Sequence, residues 1–141
     1  MSLTPTALKQ AFYNVLKSST AAASVSVRAA LGDEANSVID KKALPGALPT
    51  TPFVVLAWNM QPSGGVRNRG VKAYYPAWVV YDDAVKGYYR IEALDALIRA
   101  AYAEDVIPMC FVDFEPDRDL IDAKLNYMPA RSLLFKVKMR G

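Results

Sequence analysis

The segment Arg131–Arg140, with the sequence RSLLFKVKMR, alternates apolar and basic side chains. Successive side chains of a β-strand point to opposite faces, so this pattern separates two kinds of surface. One face carries the apolar set Leu133, Phe135, Val137 and Met139, and the other carries Lys136, Lys138 and Arg140. An apolar strand face has to be buried against another layer. The segment therefore predicts a strand in a sheet that is covered on one face and basic on the other.

Three further segments have the composition of strands. The run PFVVLAWNM at 52–60 is rich in β-branched and aromatic residues, and VIPMCFVDF at 106–114 is similar. The segment VKAYYPAWVVYDD at 71–83 is the expected partner of the first run. Its alternation puts Tyr75 on one face and both Tyr74 and Trp78 on the other. Pro76 cannot donate to a ladder, so we expect an edge position or a bulge there.

Helical spacing dominates elsewhere. Thr4 is a candidate N-cap and Pro5 a first helical residue, before apolar positions at helical spacing up to Leu16. A short second helix is expected from Ser19 or Thr20 to Gly32, and the segment YRIEALDALIRAAYAED at 89–105 predicts a third, with an Asp95–Arg99 pair. The proline-containing stretch 33–52 is expected to be an irregular connection.

This order of elements predicts the α+β class, with an antiparallel or mixed sheet of about four strands and helices packed on one face. At 141 residues the chain fits a single domain. Within it we expect a helical N-terminus at 4–32, the connection at 33–52, and a core of sheet and helix at 53–140.

The chain contains no histidine, which argues against most zinc sites and against Ser-His or Cys-His nucleophiles. Any catalysis would have to rest on carboxylates, lysine or tyrosine, so the composition argues against an enzyme, and we expect no metal site. The lone Cys110 is flanked by apolar residues and is expected to pack in the core. The sequence lacks a secretory leader and any apolar run long enough to cross a membrane, so a cytoplasmic site of synthesis and no membrane partner are expected.

The stretch SGGVRNRGVK at 63–72 combines three glycines with three basic residues. It does not match a phosphate-binding loop, which needs Lys-Ser or Lys-Thr at its end and a helix after it. A loop of this length exceeds an ordinary hairpin connection. We interpret it as a basic inter-strand loop that contacts a partner.

Five acidic residues between 113 and 122 suggest a metal site, but the glycine of a calcium loop is missing. Pro116-Asp117 followed by Asp122–Lys124 superficially matches a nuclease pattern, although both parts are expected in one turn–helix. We favour a solvated acidic connection.

Nucleic-acid binding is a third hypothesis. It uses the basic residues of the loop and of the last strand, with Tyr74, Tyr75 and Trp78 available for stacking. The net charge of +3 is mild for that function, and basic strand faces also protect sheet edges from aggregation. The aromatic residues of KAYYPAW have two open interpretations, a subunit interface or core packing.

The whole arrangement resembles the tail terminator (tail completion) proteins of long-tailed bacteriophages, the lambda-type minor tail proteins. The likeness lies in TPFVVLAWN with its loop, in AWVVYDDAVKGYYRIEALDALIRAAY, and in the terminal SLLFKVKMR. It is a match of element order and length that spans most of the chain.

The resemblance implies a hexameric ring in the virion tail, assembled in the bacterial cytoplasm, which ends tail-tube polymerisation and joins the tail to the head connector. It also implies no enzymatic activity and no cofactor, with DNA only as passing cargo. The expected partners are other copies of the chain, the tail tube protein and the head–tail connector protein. The expected contact residues are Arg67, Asn68, Arg69, Lys72, Tyr74, Trp78, Lys136 and Lys138. Another neck component and a small nucleic-acid-binding protein are the alternatives.

Overall fold

The fold is seen in a computed structural model, which describes residues 4–32, 37–40, 52–58, 73–83, 87–102, 106–107, 110–122 and 128–139. In these ranges lie three helices, α1 (Pro5–Lys17), α2 (Ala22–Ala30) and α3 (Gly87–Ala101). The strands are β1 (Val38–Asp40), β2 (Phe53–Ala57), β3 (Ala73–Tyr74), β4 (Ala77–Tyr81), β5 (Cys110–Phe114), β6 (Arg118–Asp122) and β7 (Met128–Met139). The predicted α+β class with helices packed on a mixed sheet is confirmed, but the described strands number seven rather than about four.

The helices begin and end for local reasons that the sequence contains. The Thr4 side chain accepts a hydrogen bond from the Ala7 N–H at 3.1 Å, and Pro5 occupies the first turn, so both predicted start signals of α1 are confirmed. Gly32 follows α2 with φ +86°, a conformation that favours glycine and stops the helix. The Arg28 guanidinium donates to the Leu16 carbonyl at 2.8 Å and to the Ser19 carbonyl, which satisfies backbone groups at the end of α1.

The long strand β7 lies at the centre of the sheet. It pairs antiparallel with β4 and β3 on one side and with β5 and β6 on the other. Beyond β4 lies β2, antiparallel to it, and beyond β2 lies β1, parallel to β2. Among the described strands, β1 therefore forms one edge of the sheet, and β3, β5 and β6 each pair with β7 alone.

Two interruptions account for much of the larger strand number. The predicted strand 71–83 is divided at Tyr75 and Pro76, since Pro76 has no N–H, yet its carbonyl still accepts from the Phe135 N–H at 2.9 Å. On the other side, Phe114 lies opposite Phe135 and Arg118 opposite Ser132, so 115–117 on one strand face only 133–134 on β7. That extra residue is a β-bulge.

Two parts of the sequence prediction were wrong. The connection 33–52 contains β1, whose three residues pair with Val54, Val55 and Leu56 of β2. The stretch after Pro116, expected as a turn–helix, forms strand β6 because β7 continues far enough to give it a partner. In both cases a distant strand supplies the hydrogen bonds, which local composition does not show.

The core lies between the helices and one face of the sheet, which we call the first face. It joins residues of all three helices to the sheet and is rich in aromatic rings. Phe12 of α1 stacks on Tyr102 with ring centroids 4.5 Å apart and meets Phe135 edge-on at 5.5 Å. Cys110 is buried here, as predicted.

Candidate contact face of the sheet

The alternation of β7 separates the two faces of the sheet as the sequence predicts. Leu133, Phe135 and Val137 are fully buried on the first face, beneath the helices. Lys136 and Lys138 consequently lie on the opposite, second face, where each is partly exposed. The strand at the centre of the sheet thus presents two ammonium groups on the side away from the helices.

The neighbouring strands place aromatic and acidic side chains beside these lysines. Residues paired across a ladder share a face, and Lys138 is paired with Phe111 while Lys136 is paired with Asp113. On the other side of β7 the Lys136 Nζ lies 5.9 Å from the centre of the Tyr75 ring, a cation–π contact. We call the set Tyr75, Phe111, Asp113, Lys136 and Lys138 the lysine face.

The lysine face is exposed although it contains two large rings. Tyr75 retains 38% of its accessible surface and Phe111 47%. Because β7 is central rather than at an edge, protection of a sheet edge does not explain its lysines. A central strand with charges on one face indicates a surface that meets solvent or another molecule.

The internal ion pairs of the described residues use other cations. Lys9 pairs with Asp40, Arg90 with Asp82 and Asp83, Arg99 with Asp95 and Asp117, and Arg131 with Asp95 and Asp119. Lys136 and Lys138 are in none of these pairs. Within the described part of the chain, therefore, no carboxylate forms an ion pair with either ammonium group.

The far end of the second face differs from the lysine face. Ile39, Phe53, Val55, Tyr81 and Ala130 form a small apolar cluster, and all five are buried. Phe53 and Tyr81 stack there with centroids 5.1 Å apart. The lysine face thus lies at the end of the sheet where β3, β7 and β5 meet, away from this cluster.

A second charged group joins α3 to the bulged edge on the first face. The predicted Asp95–Arg99 pair is present, with Arg99 Nε 2.7 Å from Asp95 Oδ1. Arg131 Nη1 approaches the other oxygen of Asp95 at 3.1 Å and its Nε lies 2.6 Å from Asp119 Oδ1. Arg99 also bonds Asp117 in the bulge and lies over the Phe114 ring at 5.0 Å. This network is structural: it ties the helix to two strands.

Two of the carboxylates in the network, Asp95 and Asp117, have pKa values that are shifted in opposite directions. Burial, together with the neighbouring Asp95, raises the pKa of Asp117 to about 6. Burial also opposes the charge of Asp95, but hydrogen bonds with Asp117, Arg99 and Arg131 outweigh it and hold the pKa of that carboxyl below its ordinary range. In mildly acidic solution the raised pKa favours the protonated form of Asp117, while the lowered pKa favours the charged form of Asp95.

The predicted contact residues have three different outcomes. Arg67, Asn68, Arg69 and Lys72 lie outside the described residues. Lys136 and Lys138 lie on the second face, beside each other on β7. The placement of Tyr74 and Trp78 at a contact surface is wrong, because both are buried on the first face. Trp78 Nε1 donates to the Tyr102 hydroxyl at 2.8 Å, and Tyr74 stacks on Trp58 at 5.8 Å.

Sequence reasoning missed Phe111 and Asp113 as members of the contact face. The signal was present in the alternation of CFVDF, which puts these two residues on one side. Their position beside the lysines depends on the pairing of β5 with β7, and no local pattern specifies that pairing.

The acidic stretch 113–122 does not gather into a metal site in the part of the chain that the structure describes, where no three potential ligands converge. Asp117 and Asp119 face arginines instead. Lys124 of the nuclease pattern lies outside the described residues. In the described helices we find none long and apolar enough to span a membrane.

Comparison with known proteins gives no assignment: the chain matches no protein-family model and no curated protein.

Proposed function

We propose that this chain is a structural protein of a long-tailed bacteriophage that caps the tail tube as a ring, ends tube polymerisation and joins the tail to the head connector. The observation that carries the proposal is the lysine face. It displays two cations that take part in no ion pair of the described structure, between two exposed aromatic rings.

The composition of the lysine face fits a protein interface better than a catalytic site. Tyr and Phe are enriched at interfaces, and their rings supply apolar area around which charges set orientation. Lys136 and Lys138 project from the middle of a sheet, on a strand that is paired on both sides and is therefore held in place. Such a rigid surface suits the tube protein, the connector protein or a neighbouring copy in the ring.

A second function from another class uses the same residues. Basic side chains beside exposed aromatic rings on a sheet are a platform on which single-stranded nucleic acid stacks. Tyr75 and Phe111 flank the lysines in that manner. A small nucleic-acid-binding protein is therefore the alternative, and a different neck component of the virion is a variant of the first proposal.

Native mass spectrometry, with and without isolated tail tubes, tests the proposal. We expect a closed oligomer, hexameric if the resemblance holds, either alone or on the tube ends. A chain that stays monomeric at high concentration in the presence of tubes, and that binds single-stranded DNA in a salt-sensitive manner, would contradict it and favour the alternative.

A further inference from the structure

The outer edges of β1 and β5 differ in how far other parts of the fold cover them. At the β1 edge, α1 covers the strand with polar contacts: the Tyr13 hydroxyl donates to the Val38 carbonyl at 3.0 Å and Lys17 Nζ donates to the same oxygen at 3.3 Å. Lys9 Nζ lies 2.8 Å from the Asp40 carboxylate at the other end of β1. These contacts occupy the edge, so β1 is protected against strand addition.

The β5 edge is covered less among the described residues, where Arg99 Nη2 donates to the Glu115 carbonyl at 3.4 Å at its far end. The Glu115 N–H donates inward to the Leu134 carbonyl of β7 at 2.8 Å, and the register continues through Asp113 opposite Lys136. In an antiparallel strand alternate residues direct their backbone groups to opposite sides. The N–H and C=O groups of Val112 and Phe114 therefore point outward, and no described residue bonds to them.

The side chains of this edge define what could pair with it. Phe111 and Phe114 lie on opposite faces of β5 and are 47% and 43% exposed, so an added strand would gain apolar contact on both sides. Asp113 and Glu115 take part in none of the ion pairs of the described residues, whereas Asp117 and Asp119 are neutralised by arginines. The edge thus offers hydrogen bonds, two rings and two carboxylates. It is complementary to an extended segment with basic side chains.

We propose that the outer edge of β5 receives an extended basic segment of a second copy of this chain by β-strand addition. The segment of this sequence that fits is VRNRGVK at 66–72, in which Arg67 and Arg69 alternate with other residues and no proline or acidic residue intervenes. The argument for the segment is charge complementarity with Asp113 and Glu115. The inference deepens the proposed function, because an edge on one copy and a different segment on the next make a heterologous contact, the kind that builds a ring.

A peptide binding experiment tests the edge directly. The probe is a fluorescent peptide of sequence GVRNRGVKA, and the matched control is GVENEGVEA, in which all three charges are reversed. We expect the full-length protein to bind the first peptide at least tenfold more tightly than the second, and its Val112 and Phe114 amides to become protected from hydrogen exchange. Equal binding of both peptides, or protection elsewhere only, would overturn the inference.

Proline substitution separates the edge from the rest of the sheet. Because the Val112 N–H points outward, Val112→Pro removes no ladder bond to β7 and should fold, yet it should weaken peptide binding at least tenfold. If circular dichroism shows that Val112→Pro is unfolded, the double variant Asp113→Lys, Glu115→Lys replaces it, with the same loss expected. Undiminished binding by the folded variant would contradict strand addition.

Failure of this inference is distinguishable from failure of the ring. If the protein binds the peptide at β5 but stays monomeric with tail tubes present, the edge site is supported and the proposed function is contradicted. If the protein forms a closed oligomer and neither Val112→Pro nor the double lysine variant changes its mass, the ring is supported and the role of β5 is contradicted.

Discussion

The two faces of β7 differ in how completely the fold uses their side chains. On the first face Phe135 lies in a cluster of stacked rings with Phe12 and Tyr102, and the buried polar atoms of Trp78 and Tyr102 bond to each other. On the second face the adjacent Lys136 makes a cation–π contact with Tyr75 and no ion pair with any residue that the structure describes. Neighbouring residues of β7 thus have different roles: those on the first face pack in the core, and those on the second face can contact another molecule. We therefore look for functional residues on the second face.

The largest expected difference between the two faces is the loss of stability when an aromatic ring is removed from each. Trp78→Ala should lower the free energy of unfolding by about 3–5 kcal/mol, since a large buried side chain leaves a cavity. Tyr75→Ala, at a 38% exposed position of the second face, should change it by about 0.5 kcal/mol. Urea denaturation of both variants measures the difference. Similar losses in the two would show that the second face is as much a part of the core as the first.

A smaller loss of stability is expected when the buried hydrogen bonds of the Tyr102 hydroxyl are removed. The Tyr102 hydroxyl accepts from Trp78 Nε1 and donates to the Phe12 carbonyl at 2.6 Å. Tyr102→Phe leaves both groups buried without that partner and should cost about 1–3 kcal/mol. Tyr75→Phe removes the same atom from the second face and is the matched control, with a change near zero. Equal thermal midpoints for the two variants would mean that the buried hydroxyl contributes nothing.

The Asp95–Asp117 pair gives a pH test of the first face. The pKa of Asp117 is raised to about 6, above the value of about 4 that an unfolded chain has. The folded state therefore keeps a proton that the unfolded state has lost, and the free energy of unfolding should fall as the pH rises from about 4 to about 6. Asp95 acts in the opposite sense, because its lowered pKa gives stability that is lost only as the pH falls below about 4.

The variant Asp117→Asn should remove that fall between pH 4 and 6. The wild-type change through this group should be about 1 kcal/mol, because Asp117 is partly exposed and solvent screens the interaction. Asp113→Asn, at a carboxylate outside the network, is the control. If urea titrations at pH 4.5 and 7 show the same pH dependence of stability with and without Asp117, protonation of this carboxyl plays no part in stability.

The smallest effect on stability is expected at the lysine face. Lys136→Gln with Lys138→Gln should change the free energy of unfolding by less than about 0.5 kcal/mol, since neither ammonium takes part in an ion pair of the described structure. Thermal denaturation checks this value. A loss of several kcal/mol would show that the lysines stabilise the fold and would remove the reason to regard them as contact residues.

Sequence patterns predicted the elements whose signals are local. The Thr4-Pro5 start of α1, the glycine stop of α2, the stripe of α3 and the alternation of β7 needed no distant partner. Strands β1 and β6 were missed because their hydrogen bonds come from β2 and β7, far along the chain. Long-range pairing can make a strand of a short or acidic segment whose composition favours a connection.

The candidate site was only half predictable for a related reason. The alternation of 71–83 correctly put Tyr74, Trp78 and Val80 on one face, and all three are buried together. Which face is buried was not determined by the pattern, since both faces of this segment carry apolar and aromatic side chains. In β7 one face is basic, and the choice was unambiguous.

The most direct test of the central claim is charge reversal on the second face. Lys136→Glu with Lys138→Glu should leave the thermal midpoint within a few degrees of wild type and abolish the ring or its binding to tail tubes, as measured by native mass spectrometry. The control Ala22→Glu with Ala29→Glu places two negative charges at exposed positions of α2, on the helical side, and should still assemble. Normal assembly by the Lys136, Lys138 variant would contradict the account.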